Sequence, residues 1–170
     1  TPSIVPQSIE KKLSVNVEKI ADLLSLTDGI FHVQYILKKT MEPIIIEVCR
    51  REPGDMYIKF VEHATGVDYP ALIVKESAGL DCNQLQHTIP QGFFTRYCVK
   101  SKEEGRIKEI NFADSIKDNI IDKFMWWEKG DIVEDRMSST FGIVFLKFDN
   151  MEEMMIKTNL LEVLIKVRLN

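Results

Sequence analysis

Residues Ile30–Asp55 read IFHVQYILKKTMEPIIIEVCRREPGD, and the folding of that stretch sets the reading of the rest of the chain. Two runs with strand-like alternation, Ile30–Lys38 and Pro43–Cys49, flank the segment Lys39–Glu42. Period two puts Phe31, Val33, Tyr35 and Leu37 on one side of the first run, with His32 and Gln34 on the other. In the second run it groups Ile44, Ile46 and Val48 against Ile45, Glu47 and Cys49. If Lys39–Glu42 is a four-residue loop, Gln34 falls across from Glu47 and His32 across from Cys49. An amide, a carboxylate, an imidazole and a thiol then share one patch, followed at once by Arg50 and Arg51.

A solvated polar face is the ordinary outcome for a half-buried hairpin. Against it stands Ile44-Ile45-Ile46, apolar on both faces as expected of a strand covered on both sides. Glu47 would then follow directly from a buried run and need a cation or Arg51 as its partner. Glu47 with the Gln34 carbonyl suits magnesium, which takes oxygen ligands beside phosphate-bearing substrates. Arg51 suits a phosphate or carboxylate held bidentately. Cys49 beside His32 has the composition of a thiolate pair, but cysteine is among the most buried residue types and a structural role is its ordinary one.

A chain of 170 residues can hold one domain or two small ones around a real core. Its 45% hydrophobic and 28% charged content is that of an ordinary globular protein. The net charge of −4, with no long basic run, argues against a nucleic-acid or anionic-membrane surface. No apolar stretch approaches a membrane span and no signal-like segment opens the chain. Three cysteines, Cys49, Cys82 and Cys98, lack metal-type spacing, and a reduced, cytoplasmic setting is expected. The opening Thr-Pro-Ser-Ile-Val-Pro, without methionine, suggests a processed product or a fragment of something longer.

Around the central stretch, Ser8 is expected to cap a helix from about Ile9 to Leu24 with Leu13, Val17, Ile20 and Leu24 on its apolar stripe. Thr27-Asp28-Gly29 and Pro53-Gly54-Asp55 punctuate the hairpin, and Met56–Ala64 reads as helical. A helix over Asp68–Ala78 buries Leu72, Ile73 and Val74 and closes at Gly79. Asp81–Gly92 reads as a linker. Short strands follow at Phe93–Lys100, Gly105–Ile110, about Ile121–Trp127, Ile132–Glu134 and Phe141–Phe148, with a short helix at Phe112–Asp118. Asn150 caps a last helix that offers Met151, Met154, Met155 and Leu161 for packing, and Lys166–Leu169 makes a final strand. Trp126-Trp127 reads as core plus edge. Neither Walker-type nor dinucleotide-type glycine spacing is present, and His32, His63 and His87 stand in dissimilar contexts with no serine elbow.

Three runs together resemble the last part of an ATP-grasp domain: Asp28-Gly29-Ile30-Phe31-His32-Val33-Gln34-Tyr35, Ile44-Ile45-Ile46-Glu47-Val48-Cys49-Arg50-Arg51 and Glu62-His63-Ala64-Thr65-Gly66-Val67-Asp68. In that superfamily one strand carries a glutamate and the next a Glu-x-Asn-x-Arg motif. The two glutamates and the asparagine bind magnesium ions that bridge the ATP phosphates, and the arginine contacts the acid or acyl phosphate. The resemblance places Glu47 at the second glutamate and Arg51 at the arginine, while Gln34 stands at the first glutamate and Cys49 at the asparagine. Glutamine removes one negative charge and a thiol is a poor magnesium ligand, so metal binding weaker than the family norm is implied. His32 is a bystander on this reading. Gly130-Asp131-Ile132-Val133, Arg136, Phe141-Gly142-Ile143-Val144 and Asn150-Met151-Glu152-Glu153 are similar to the C-terminal subdomain of carboxylate–amine ligases, including L-amino-acid ligases, biotin carboxylase and carbamoyl-phosphate synthase.

The resemblance implies an α+β chain: the end of an ATP-grasp domain over Thr1–Leu80, then a β-rich C-terminal subdomain over residues 81–170. It implies part of a ligase that uses ATP and magnesium to convert a carboxylate to an acyl phosphate and pass the acyl group to an amine. Nothing before Ile9 corresponds to the family's nucleotide-binding half. That N-terminal remainder of the enzyme is therefore an expected partner, and this piece alone is not expected to turn over. The alternatives are a degenerate, non-catalytic relative kept for binding or scaffolding, and an unrelated small-molecule-binding α+β domain.

Overall fold

The computed structural model describes residues 5–27, 29–83, 85, 88–135 and 139–170. Asp28, His87 and Arg136 of the sequence reading lie outside the described residues. The chain is mixed α/β with antiparallel sheets and divides into two compact units, one ending at Ile89 and one over Pro90–Asn170.

In the first unit, helix α1 spans Gln7–Leu23. Pro6, not Ser8, stands at its N-cap, and the Pro6 carbonyl accepts from Ile9 N–H at 2.9 Å. Proline has no N–H to leave unpaired and its φ is preset, so it opens the helix two residues earlier than the serine cap would. Ile9 is buried and Leu13, Val17 and Ile20 are half-buried, whereas Leu24 is exposed.

Strands β1 (His32–Leu37) and β2 (Pro43–Cys49) form a two-stranded antiparallel sheet, with α1 beside β2. Helices α2 (Tyr57–Thr65) and α3 (Tyr69–Ser77) follow. They meet at a corner built by Gly66 and Asp68. Gly66, at φ 75°, terminates α2 by donating to the Glu62 carbonyl at 2.7 Å, and the Asp68 side chain accepts from Ala71 N–H at 3.0 Å to start α3. Phe60 and Ala64 of α2 are buried, while Val74 of α3 is exposed rather than packed.

The second unit contains β3 (Phe93–Val99), β4 (Gly105–Phe112), α4 (Asp114–Lys117), β5 (Ile120–Met125), β6 (Ile132–Val133), β7 (Gly142–Phe148), α5 (Met151–Asn159), α6 (Leu161–Leu164) and β8 (Ile165–Leu169). Strand β7, GIVFLKF, lies between β3 and β5 and is buried everywhere except Lys147. Its side chains are apolar on both faces, as a central strand covered on both sides requires. A second three-stranded sheet runs β6-β4-β8. Val99, Ile116, Val144, Leu146, Met154, Leu161 and Ile165 close the main core. Asn150 caps α5 as expected, its Oδ1 accepting from Glu153 N–H at 2.9 Å. Met155, expected in the packing, is exposed, and Phe112 ends a strand instead of opening a helix.

Candidate functional site

The hairpin pairing is antiparallel with His32 opposite Cys49, Val33 opposite Val48 and Gln34 opposite Glu47. These are the cross-strand neighbours that the sequence predicts, but two departures that cancel bring them about. The loop has three residues, Lys39–Met41, because Lys38 N–H donates to the Glu42 carbonyl at 3.0 Å and their side chains form an ion pair at 3.0 Å. Met41 N–H donates to the Lys38 carbonyl and Met41 adopts φ 62°, the arrangement of a type I turn closed by one left-handed residue. The register then runs Leu37 opposite Pro43, Ile36 opposite Ile44 and Tyr35 opposite Ile45. Between Gln34 and Tyr35 it shifts by one, leaving Ile46 as the extra residue of a bulge. One residue fewer in the loop and one more in β2 restore Gln34 to Glu47.

The bulge also changes which residues share a face. Ile44 and Ile46, expected with Val48, are exposed, as are Ile36, Gln34 and Glu47. Tyr35, Leu37, Ile45 and Val48 are half-buried and Pro43 is buried. The exposed face therefore carries Gln34 and Glu47 next to an apolar strip of Ile36, Ile44 and Ile46. Among the described residues the expected covering of β2 on both sides is not found, and Glu47 does not emerge from a buried run. Arg51 does not neutralise it either: Arg51 Nη1 donates to the Glu52 carbonyl at 2.9 Å.

At the far end of the same face His32 Nδ1 lies 3.3 Å from Cys49 Sγ, both residues half-buried. Cys49 Sγ has a second, longer contact with the Arg51 carbonyl at 3.8 Å. His32, expected as a bystander, is thus the direct neighbour of the thiol. Sequence spacing placed it opposite Cys49 and raised a thiol–imidazole pair, for which a structural role of the cysteine is the ordinary reading. Arg50 folds back over Gly29: a β-carbon there would come within 2.6 Å of Arg50 Nη2 and 3.4 Å of Glu76 Oε1. Gly29 at φ 116° is a position that side-chain-bearing residues rarely occupy.

The donor set bears on which ion could sit here. Glu47 and the Gln34 amide oxygen are hard oxygen donors suited to magnesium, while Cys49 is a soft donor already engaged by His32. Among the described residues no cluster of three or more His, Cys, Asp and Glu side chains is placed to hold a metal ion. The oxygen pair fits a divalent cation that water or phosphate oxygens complete; the thiol does not.

No protein-family model matches the sequence, and no curated protein matches it. Solved structures do match. The L-amino acid ligase from Bacillus licheniformis superposes over 99% of this chain with a TM-score of 0.84 at 16% identity. Phosphoribosylglycinamide synthetase from Anaerococcus prevotii covers 100% with a TM-score of 0.77 at 20% identity. The biotin carboxylase domain of the Hydrogenobacter thermophilus 2-oxoglutarate carboxylase, in complex with MgADP, ADP and bicarbonate, covers 99% with a TM-score of 0.69 at 16% identity.

The fold is that of the ATP-grasp ligases.

At such identities the likeness is one of fold. This chain spans 43% of the length of the first of those structures, 44% of the second and 38% of the third. Within the ATP-grasp fold, the residues quoted for the resemblance divide into two groups. Ala64, 1% exposed, and Gly66 and Asp68 at the α2–α3 corner build the frame. Gln34, Glu47, Cys49 and Arg51 belong to the open hairpin face or the turn after it. Among the described residues no helix is long and apolar enough to cross a membrane.

Proposed function

We propose that this chain is the C-terminal part of an ATP-dependent carboxylate–amine ligase that works through an acyl phosphate. On this reading the residues up to about Leu80 end an ATP-grasp domain, and residues 81–170 form the ligase's β-rich C-terminal subdomain. The observation that carries the reading is the Gln34–Glu47 pair on an exposed strand face, with Arg51 four residues beyond Glu47.

Glu47 and the Gln34 carbonyl would hold magnesium, which when bound offsets charge on the ATP phosphates. Arg51, on the turn after β2, binds the anionic acid; a guanidinium offers a planar fork for a carboxylate or acyl phosphate. The acid's carboxylate oxygen attacks the γ-phosphorus, ADP leaves, and the amine then displaces phosphate from the acyl carbon. Such chemistry depends on positioning and charge neutralisation more than on covalent help from the protein. The remaining partners are a small carboxylate, a small amine and the nucleotide-binding remainder of the enzyme, in a cytoplasmic setting and without nucleic acid or membrane.

A second reading is favoured by the same site. With glutamine at position 34 and a His32-engaged thiol at position 49, the fold could serve as a non-catalytic binding or scaffold module.

The test is phosphate release from magnesium–ATP by the full-length gene product, against a panel of carboxylates and amines. Acid-dependent release that is lost in Glu47→Ala and Arg51→Ala supports the ligase. No release with any pair, and no magnesium-dependent ATP binding, supports the non-catalytic reading and makes Glu47 structural.

A further inference from the structure

We propose that the open edge of β8 takes up an extended peptide segment as an added antiparallel strand, one with carboxylates on alternate residues and apolar side chains between them. The proposal concerns the second unit alone and does not depend on the ligase reading above.

The edge borders a cleft. Strand β8 pairs with β4 on one side, and among the described residues no strand lies on the other. A cleft of about 690 Å³ runs there, and Lys166, Val167, Arg168 and Leu169 all line it. Consecutive strand side chains point to opposite faces, so a cleft that touches all four follows the backbone edge, not one face. Ala113 N–H donates to the Leu164 carbonyl at 2.8 Å, and Asn170 N–H donates to the Arg106 carbonyl at 2.9 Å. Backbone groups alternate in direction along an antiparallel ladder, so Leu164, Lys166, Arg168 and Asn170 address β4. The N–H and C=O groups of Val167 and Leu169 are therefore aimed at the cleft, with no backbone partner there among the described residues.

The side chains select the occupant. Lys166 and Arg168 are exposed on one face of β8, while Val167 and Leu169 are half-buried against the cluster of Ile107, Val133 and Phe141. On an added strand, residues opposite Lys166 and Arg168 share their face, where carboxylates are favoured. The other charges lining the cleft are Lys100 and Lys102 against Glu103, Glu104 and Glu162, with Lys102 and Glu162 paired at 2.5 Å. These nearly cancel, so β8 sets the sign. Arg168 lies 3.5 Å from Glu109, and both are more than a third exposed, so an incoming carboxylate can replace that pair at little cost. A second copy of β8 does not fit the edge, because Lys166 would then face Arg168 of the other copy.

In strand addition, main-chain hydrogen bonds hold the peptide and side chains at alternate positions select it. Here the two kinds of peptide residue are chemically distinct. Residues opposite Val167 and Leu169 exchange backbone hydrogen bonds with β8 and continue its apolar face. Residues opposite Lys166 and Arg168 carry the carboxylates, and their own N–H groups point away from β8. N-methylation deletes a single donor, so its position along the peptide reports which residues face the edge.

The experiment titrates the 170-residue chain with a blocked Glu-Val-Glu-Val-Glu peptide and follows heat and amide hydrogen exchange. The expected result is saturable one-to-one binding that slows exchange of the Val167 and Leu169 amides. N-methylation of both valines weakens binding on the order of tenfold, whereas N-methylation of the central glutamate leaves it nearly unchanged. A Lys-Val-Lys-Val-Lys peptide binds roughly tenfold more weakly, and Lys166→Glu combined with Arg168→Glu reverses that preference. The N-methyl comparison uses the unsubstituted chain, so it decides the matter even where the double variant does not fold. Equal affinity for the two N-methylated peptides means charge attraction without strand addition and overturns the proposal, as does the absence of saturable binding. Protection of Val167 and Leu169 that rises with protein concentration in the absence of peptide assigns the edge to a second copy and overturns it too.

Discussion

Lys157 Nζ donates to the Asn119 side-chain oxygen at 2.7 Å, joining residues 38 positions apart. The same ammonium pairs with Glu153 at 2.7 Å, one helical turn earlier on α5. Asn119, 9% exposed, completes the ring by donating to the Lys147 carbonyl at 3.0 Å and to Glu153 at 3.2 Å. This polar knot ties the turn before β5 to α5 beside the core of the second unit.

The knot gives a pH dependence. The Lys157 hydrogen bond, then the Asp149 backbone N–H and the Asn119 amide, hold the Glu153 carboxyl down from 4.5 to about 2. Folding favours the ionised form, so its stabilisation is complete above about pH 4.5 and is lost as pH falls toward about 2. Urea melts between neutral pH and pH 2 should show a steeper acid loss for the parent than for Glu153→Gln. Parallel curves would remove Glu153 from the account of acid stability.

Gly142 opens β7 where the strands approach too closely for a side chain. A β-carbon there would fall 2.7 Å from the Phe124 carbonyl oxygen and against the Met125 thioether. Methionine can swing away, but the carbonyl belongs to the β5–β7 ladder and cannot. Gly142→Ala is expected to cost about 1–3 kcal/mol by overpacking. Equilibrium unfolding measures it, and an unchanged midpoint would mean the ladder can shift.

Met41 holds a left-handed conformation at φ 62° with 42% of its surface exposed. Its backbone strain, roughly 1–2 kcal/mol for an L-residue, is only partly offset by glycine's larger unfolded-state entropy. Met41→Gly should therefore stabilise the hairpin by a few tenths to about 1 kcal/mol. A lower unfolding midpoint would show that the methionine side chain packs more usefully than its exposure indicates.

Gln34→Glu adds a second carboxylate beside Glu47 across the strand pair. Calorimetric titration should show magnesium binding tighten on the order of tenfold, or about 1.4 kcal/mol. If the full-length variant gains metal affinity and still releases no phosphate with any acid, the binding-module reading is preferred. Unchanged magnesium affinity would mean that position 34 does not face the ion.

Much of this architecture was legible in the sequence because it rests on local signals. Asn150 and Asp68 announce their helices, Gly79 closes α3 at φ 69°, and the unbroken apolar run of β7 marks a central strand. The Gln34–Glu47 pairing was legible too, although the loop and strand lengths behind it were not. The extra residue falls within Ile44-Ile45-Ile46, where every position is apolar and alternation leaves no trace of a missed step. A four-residue helix such as α6 is likewise too short to show a period. Convergence of His32 on Cys49 depends on rotamers, which cross-strand spacing does not specify.

The bulge at Ile46 divides the hairpin into two reading frames that meet between Gln34 and Tyr35. A change of length on the loop side, by insertion or deletion between Tyr35 and Ile45, can be absorbed there without turning Glu47 over. Loss of Ile46 itself would leave Gln34 facing Glu47 and Ile36 facing Ile44 in one regular register, with Ile36 and Ile44 still on the face that bears Gln34 and Glu47. Substitution and deletion at this one codon therefore have different consequences: the first alters an exposed side chain, while the second straightens the strand and takes away the slack that lets its two halves keep separate registers.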